Sequence, residues 1–453
     1  SQSRQAIDNL MIDFNGMLYF QADDGVSGSE LWRVSAGGNP AMVQDLAPGS
    51  AGSSPHAFVV FQNKLYFAAA TTGNAEDIYV FDGLTTSLAA HVPVAPQYAG
   101  IKALTVFDDE IYFHYSGSID GEKIFRFDGV SVAEVSPINE SPIEWLLTDQ
   151  MLHSSTFLVL QDKLYYFARS KQSTDLWAYD GTNTQKIKTV GPSSAIFVDF
   201  AIYKGMVYFS THVSWNEKEL WRYSGSGNPQ KIATFSFQSD VAPRHFAVFQ
   251  DSLYFEVGTD LYRFDGTILT NVSEGSKSMP FYPNKLTAFS IGALNGLYFE
   301  GYTSDLGREP YLFNGATVSL LADINPVQDP WAWTWPLSGS EPSRAVQSHD
   351  RLWFAASDGE THGRELWSIG PRENKYDCYV VVTPIWEDWR LWPVGERAVV
   401  VETHVLVPGQ PDQAPMREEI RIIREQEARV KAASFDGAAP EGFALYTVVT
   451  DME

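Results

Sequence analysis

One cysteine, Cys378, stands in 453 residues. A disulfide within the chain and a cysteine-built zinc site both need more thiolates than that, so both are excluded. No run of eighteen apolar residues occurs, and no segment reads as a transmembrane helix. The opening "SQSRQAIDNL" lacks the apolar stretch of a signal peptide, which leaves either a cytoplasmic protein or an extracellular or cell-surface chain already processed. Positive charge is scarce: 32 Lys and Arg face 56 Asp and Glu, for a formal net charge of -24. Binding to a phosphate backbone needs clustered cations, so nucleic acid is set aside as a partner.

Catalytic motifs are missing too. There is no G-x-S-x-G elbow, H-E-x-x-H pair, phosphate-binding loop or dinucleotide fingerprint, and the nine histidines are scattered singly. Acidic residues are abundant enough that a pair arranged for glycoside hydrolysis stays open, because their separation in space decides that chemistry.

What is present is a repeat. An apolar phrase recurs eight times: "NGMLYF" (15–20), "QNKLYF" (62–67), "DDEIYF" (108–113), "QDKLYYF" (161–167), "YKGMVYF" (203–209), "QDSLYF" (250–255), "LNGLYF" (294–299) and "HDRLWF" (349–354). Each is answered by a second phrase, such as "ELWR" at 30, "DIYVFDG" at 77, "EPYLFNG" at 309 or "ELWSIG" at 365. Measured between the aliphatic residues Leu18, Leu65, Ile111, Leu164, Val207, Leu253, Leu297 and Leu352, the steps are 47, 46, 53, 43, 46, 44 and 55 residues. That period fits a four-stranded propeller blade. In "AFVVFQNKLYFAAA" (57–70) two β-rich runs meet at a polar break, as a hairpin requires, and Asp-Gly ends the third strand. The expectation is an all-β, eight-bladed β-propeller over residues 1–374, seven blades being the alternative, with the aromatics (14% of the chain) packed between blades.

The stretch "LYFQADDGVSGSELWRVSAGGNPAMVQDLAPGSAGSSP" (18–55) resembles one unit of the bacterial ELWxxDGT-repeat, or hyalin-like, family. "AASDGETHGRELW" (355–367) is similar to the same unit, and "YTSDLGREPYLFNG" (302–315) partly so. Middle repeats keep only the strands and the Asp-Gly. The resemblance implies a surface or secreted repeat protein and supplies no catalytic residues.

Strands that alternate in direction send the B–C and D–A connections to one face of a propeller and the A–B and C–D turns to the other. The first face receives "DDGVSGS" (23–29), "SDGETHGR" (357–364) and two long D–A excursions, 139–155 and 325–343. Trp331, Trp333 and Trp335 alternate in the second excursion, so an extended segment turns all three to one side, either over a sugar, peptide or partner or down as a plug or cover. Asp23, Asp24 and Asp358 are the candidates for Ca2+, along with Glu30 and Glu365. Their spacing is not that of a dense cation loop, so the reading is that each Asp carboxylate caps its own turn, that each Glu bonds neighbouring backbone amides, and that no cofactor is required.

After residue 374 the repeat stops. Residues 375–453 read as a small α+β module: strands near 378–384 and 443–452, and a helix over 414–433 from the spacing of Met416, Ile420, Ile423 and Val430. Blade eight shows no fourth strand of its own. One solution lends "CYVVVTP" (378–384) to close the ring, and the other leaves the ring unclosed by sequence with its edge covered by the module. Trp386, Trp389 and Trp392, spaced by three, form a second cluster suited to sealing a junction or docking a subunit.

These features favour a non-enzymatic extracellular or cell-surface protein that uses a propeller platform for protein or glycan contacts, with the C-terminal module as attachment element. The alternative is a carbohydrate-active propeller enzyme with its site at the channel mouth.

Overall fold

A computed structural model of the chain describes residues 10–35, 39–71, 76–92, 100–118, 121–135, 145–146, 157–170, 172–192, 198–236, 242–275, 279–292, 294–326, 339–359 and 364–370. Beyond these it describes the strand backbones at 375–382, 396–406, 416–423, 428–436 and 444–451. The chain divides into two compact units at Gly370 and Pro371.

The first unit is an eight-bladed β-propeller. Its sheets lie at 11–44, 56–90, 100–134, 145–192, 200–235, 244–271, 281–320 and 346–369, each built in chain order as an antiparallel meander A-B-C-D. Blade four carries two short segments, at 145–146 and 157–159, beside its strand B, and blade eight shows strands A, B and C among the described residues.

The recurring "LYF" is what makes the ring. In strand B of blade one (Met17–Asp23) Leu18, Tyr19 and Phe20 are all buried, although successive side chains point to opposite faces. Both faces are covered because a blade has a neighbour on each side. Leu18 and Phe20 join Trp353 of blade eight in one core, whereas Tyr19 packs forward with Leu65 and Phe67 of blade two. Blade two repeats the scheme, with Leu65 and Phe67 turned back and Tyr66 forward onto Phe127 of blade three. The same division recurs at Tyr208, Tyr254 and Tyr298, so the hydrophobic clusters coincide with the blade interfaces.

Among the described residues, blades eight and one meet through side chains. Trp353 packs into the core of Leu18, Phe20 and Val34, and Ser348 Oγ donates to Asp13 Oδ2 across the joint. The C–D hairpins obey one turn rule: Asp82, Asp128, Asp180 and Asp265 each accept, at Oδ1, the N–H groups two and three residues ahead, and Asn314 does so in blade seven. Those backbone donors hold the four carboxyls below the usual aspartate range.

Blade two contains a buried histidine that ties it to blade three. His56 Nε2 lies 3.0 Å from Ile101 O and 3.4 Å from Glu76 Oε2, and Nδ1 lies 2.9 Å from Ser54 O. Burial opposes its charge, but the Glu76 carboxylate outweighs it and raises the imidazole above its ordinary value of 6.5. Its contribution to stability is therefore complete below the unfolded value and is lost as pH rises through the higher folded one. The melting temperature is expected to decline across that window, and His56→Gln to flatten the decline. An unchanged slope in the variant would assign the effect elsewhere.

The second unit is all strand where it is described. Lys375–Val382 pairs with Ala428–Asp436, and Glu396–Leu406 pairs with both Met416–Ile423 and Ala444–Asp451. Two expectations are corrected here. The segment around 378–384 is engaged in the second unit's own pairing up to Val382, not as a fourth strand of blade eight. The helix over 414–433 is two strands, so the module is not α+β in its described part. "MREEIRII" satisfies a two-residue as well as a 3.6-residue period, and pairing along all eight of its residues with the Val-rich Glu396–Leu406 decides between them.

Candidate functional site

The Glu of "ELW" is structural. Glu30, fully buried, accepts from the backbone N–H groups of Leu46 (3.3 Å), Ala47 (3.2 Å) and Ser53 (3.0 Å) and from the Ser53 hydroxyl. In blade seven Glu309 repeats this clasp residue for residue, on Ile324 (3.1 Å), Asn325 (3.3 Å), Ser340 N (3.0 Å) and Ser340 Oγ (2.6 Å). A buried carboxylate thus satisfies a D–A connection that has no strand partner of its own. The loop crosses so close that a Cβ on Gly52 or Gly339 would sit 2.2 Å from the backbone nitrogen of Ser29 or Arg308. Both glycines also have positive φ. The second clasp fixes the two feet of the excursion carrying Trp331, Trp333 and Trp335, with Asn325 Nδ2 donating to Gly339 O at 3.1 Å. Those three tryptophans, and Trp386, Trp389 and Trp392, lie outside the described residues.

Asp23 and Asp24 sit on the B–C turn of blade one. Asp23 Oδ1 accepts from Gly25 N (2.7 Å), and Asp24 Oδ1 from Val26 N (2.9 Å) and Ser27 N (2.7 Å). Those bonds hold the Asp24 carboxyl low and cap the turn. Asp358 lies half-buried on the corresponding turn of blade eight. Asp23, Asp24 and Glu365 border a cleft of about 450 Å3 between blades one and eight, together with Gln21, Trp32 and Arg344. Among the described residues no group of three or more His, Cys, Asp or Glu side chains is gathered as a cation site.

Near the axis, where the A strands of neighbouring blades meet, lies a buried ionic cluster. Arg244 grips Glu256 with Nε at 2.9 Å and a terminal nitrogen at 3.2 Å, and His245 Nε2 stands 3.4 Å from the same carboxylate. Glu300 accepts from Asn284 (2.9 Å), Lys285 (2.8 Å) and Arg308 (2.6 Å). Adjacent blades are laced through this layer, since His245 N donates to Asp199 and Lys285 N to His245 Nδ1. Burial raises the Glu256 carboxyl against the pull of Arg244, whereas at Glu300 two cations overcome burial and lower it. Two carboxylates with opposed shifts suit acid–base chemistry in the abstract. Here both are almost wholly buried, 1% and 2% exposed, and held by these cations and amides.

An open cleft of about 560 Å3 lies on the B–C face between blades four and five. Strand D of blade four (Thr184–Pro192) supplies Lys188, Thr189 and Val190 to one wall, and strands B and C of blade five supply Thr211, Val213 and Glu219 to the other. The Lys188 ammonium rests 3.8 Å from the centre of the Trp221 ring. Trp221 Nε1 donates in turn to Glu219 (2.7 Å), which also takes Thr211 Oγ1 (3.2 Å) and Lys231 Nζ (2.9 Å). Burial opposes ionisation of Glu219, yet these donors hold its carboxyl below the usual range. Two residues past Val213, Trp215 is half exposed at the turn tip, where Lys218 Nζ pins the backbone through Ser214 O (2.9 Å) and Trp215 O (2.7 Å).

Neither Lys188 nor Trp215 belongs to the repeated phrases, and sequence reasoning passed over both. Trp215 had a local signal, an aromatic where other blades place Asp, Gly and Ser in the B–C turn. Lys188 had none, because its significance comes from a ring 33 positions away.

No family model and no curated protein matches the sequence. Solved structures do resemble it. A puromycin-hydrolysing peptidase of Mycobacterium tuberculosis matches at TM-score 0.46 and 12% identity, over 77% of this chain and 57% of its own length. The β-propeller domain of the trilobed protease from Pyrococcus furiosus, described as having an open velcro topology, matches at 0.37 and 14%, over 69% and 98%. The fucose-binding Aleuria aurantia lectin matches at 0.31 and 13%, over 60% and 96%. The chain spans little more than half of the peptidase. At such identities these likenesses assign no role to any residue here.

Proposed function

We propose that this protein is a non-enzymatic binding platform of the extracellular space or cell surface, a member of the hyalin-like repeat proteins, that contacts glycan through the B–C face of its propeller, with the C-terminal unit as an attachment element. The observation that carries the proposal is the cleft between blades four and five, open, lined by both polar and apolar groups and flanked by an exposed tryptophan. Concave sites with a few convergent polar groups are where small ligands and sugar units bind. The alternative glycosidase needs two carboxyls facing substrate. The buried acids near this face are engaged as acceptors: Glu30 and Glu309 in clasps, Glu219 under Lys231, Glu256 and Glu300 in ion pairs. Nor is any helix of the described residues long and apolar enough to cross a membrane.

The test is a glycan array probed with the intact protein, alongside a panel of chromogenic glycosides. Retention of one glycan class without turnover is expected, and Trp215→Ala should weaken it about tenfold, the loss of one aromatic contact. Turnover abolished by Glu256→Gln or Glu300→Gln would replace the platform with the enzyme.

A further inference from the structure

We infer that the cleft between blades four and five selects a sugar bearing a single carboxylate, a uronic acid unit, and that Lys188 is the residue that reads the charge. The inference rests on the binding-platform reading and specifies its ligand.

The cleft's polar groups are not equivalent. Three hydroxyls have already committed their protons to buried carboxylates: Ser173 Oγ to Asp175 (3.0 Å), Thr189 Oγ1 to Asp175 (2.7 Å) and Thr211 Oγ1 to Glu219 (3.2 Å). A hydroxyl has one proton to give and two lone pairs, so the accessible Ser173 and Thr189 face a ligand as acceptors, while the buried Thr211 holds Glu219 in place. The wall therefore favours a partner rich in donors, which is what sugar hydroxyls supply.

The carboxylates in and behind the wall are paired with cations. Asp175 pairs with Lys186 at 2.8 Å and Glu219 with Lys231 at 2.9 Å. Lys188 is the cation left over: among the described residues it makes no hydrogen bond or ion pair, and its ammonium lies on the Trp221 ring. An ammonium over an aromatic face keeps its three donors for a ligand while the ring limits its swing. Lysine acts as a point charge rather than a planar fork, which suits one carboxylate among hydroxyls.

The charge of the whole chain narrows the choice further. At a formal net charge of -24 a densely charged polyanion such as polyphosphate is repelled more strongly over the approach than a short uronide with one carboxylate per ring, so one local cation has less repulsion to offset. The exposed side chain of Val213 at the rim, with Trp215 two residues on, offers apolar surface for the C–H face of a ring.

The experiment titrates the intact protein with a trigalacturonate, with its fully methyl-esterified form and with a neutral trisaccharide, by calorimetry and saturation-transfer NMR. The free acid should bind at least about tenfold more tightly than the ester, the size of a lost charge-assisted hydrogen bond. Lys188→Gln should erase that difference and Lys188→Arg should keep most of it. Lys188 is partly exposed and outside the clasp and the ionic cluster, so both variants should melt like the parent. Equal affinity for acid and ester would overturn the inference and leave a sugar-binding platform standing. Preference for the acid that survives Lys188→Gln would overturn it by placing the site elsewhere. Binding of neither trisaccharide form, with another glycan retained on the array, would overturn the ligand class alone, and an empty array would remove the platform reading with it.

Discussion

Glu300→Ala is expected to cost about 3–5 kcal/mol of folding stability, measured by denaturant unfolding of the intact chain. The magnitude follows from what the substitution leaves behind. Asn284, Lys285 and Arg308 all donate to this one buried carboxylate, and Lys285 also reaches Pro342 O. Removing the acceptor leaves the Asn284 amide and two cations, each about a quarter exposed, without their shared carboxylate in a layer that links blades six, seven and eight, and water reaches those cations from one side only. Glu300→Gln keeps the shape and one acceptor oxygen, so its cost should be smaller. A loss under about 1 kcal/mol for Glu300→Ala would mean that water replaces the carboxylate around both cations, contrary to a stabilising role for the cluster.

Glu30→Ala should cost about 2–4 kcal/mol, because Leu46, Ala47 and Ser53 each lose their acceptor on or near the buried side of the loop. Its effect ought to be local. The connection from strand D of blade one to strand A of blade two should exchange its amide hydrogens faster, while blades four to six keep their protection. Loosening throughout the ring would show that the clasp supports the whole closure, not one loop.

The repeat made the ring legible because a propeller writes its architecture locally. Each blade is contiguous, each strand B must be apolar on both faces, and the "LYF" phrase records that demand eight times. The Asp-Gly turns were equally readable, since Asp82 and its equivalents bond only residues two and three ahead. The clasp was half readable: that Glu30 bonds backbone amides was expected, but that it reaches Ser53 across a loop is a fact of folding. The C-terminal unit was misread where a short amphipathic run satisfied two periods at once and only a pairing partner could choose. Lys188 was invisible for a different reason. A cation is singled out by what fails to pair with it, and that requires every neighbour's position.

The tryptophan excursions drew the eye in the sequence because composition there is unusual. The described cleft lies instead where blades four and five meet, between a strand D and the next strand B, with ordinary residues such as Thr189 and Thr211. Clefts open at two of the joints, between blades four and five and between blades one and eight. What distinguishes this joint is charge accounting among Asp175, Lys186, Lys188, Glu219 and Lys231.

The central claim is that recognition occurs on the B–C face at the joint of blades four and five. Hydrogen exchange of the intact protein, with and without saturating trigalacturonate, tests it most directly. Slowed exchange is expected at 172–173, 188–191 and 211–219, with the C–D turns at Asp82, Asp128 and Asp265 unchanged. Protection confined to those opposite-face turns, or to another joint, would contradict it.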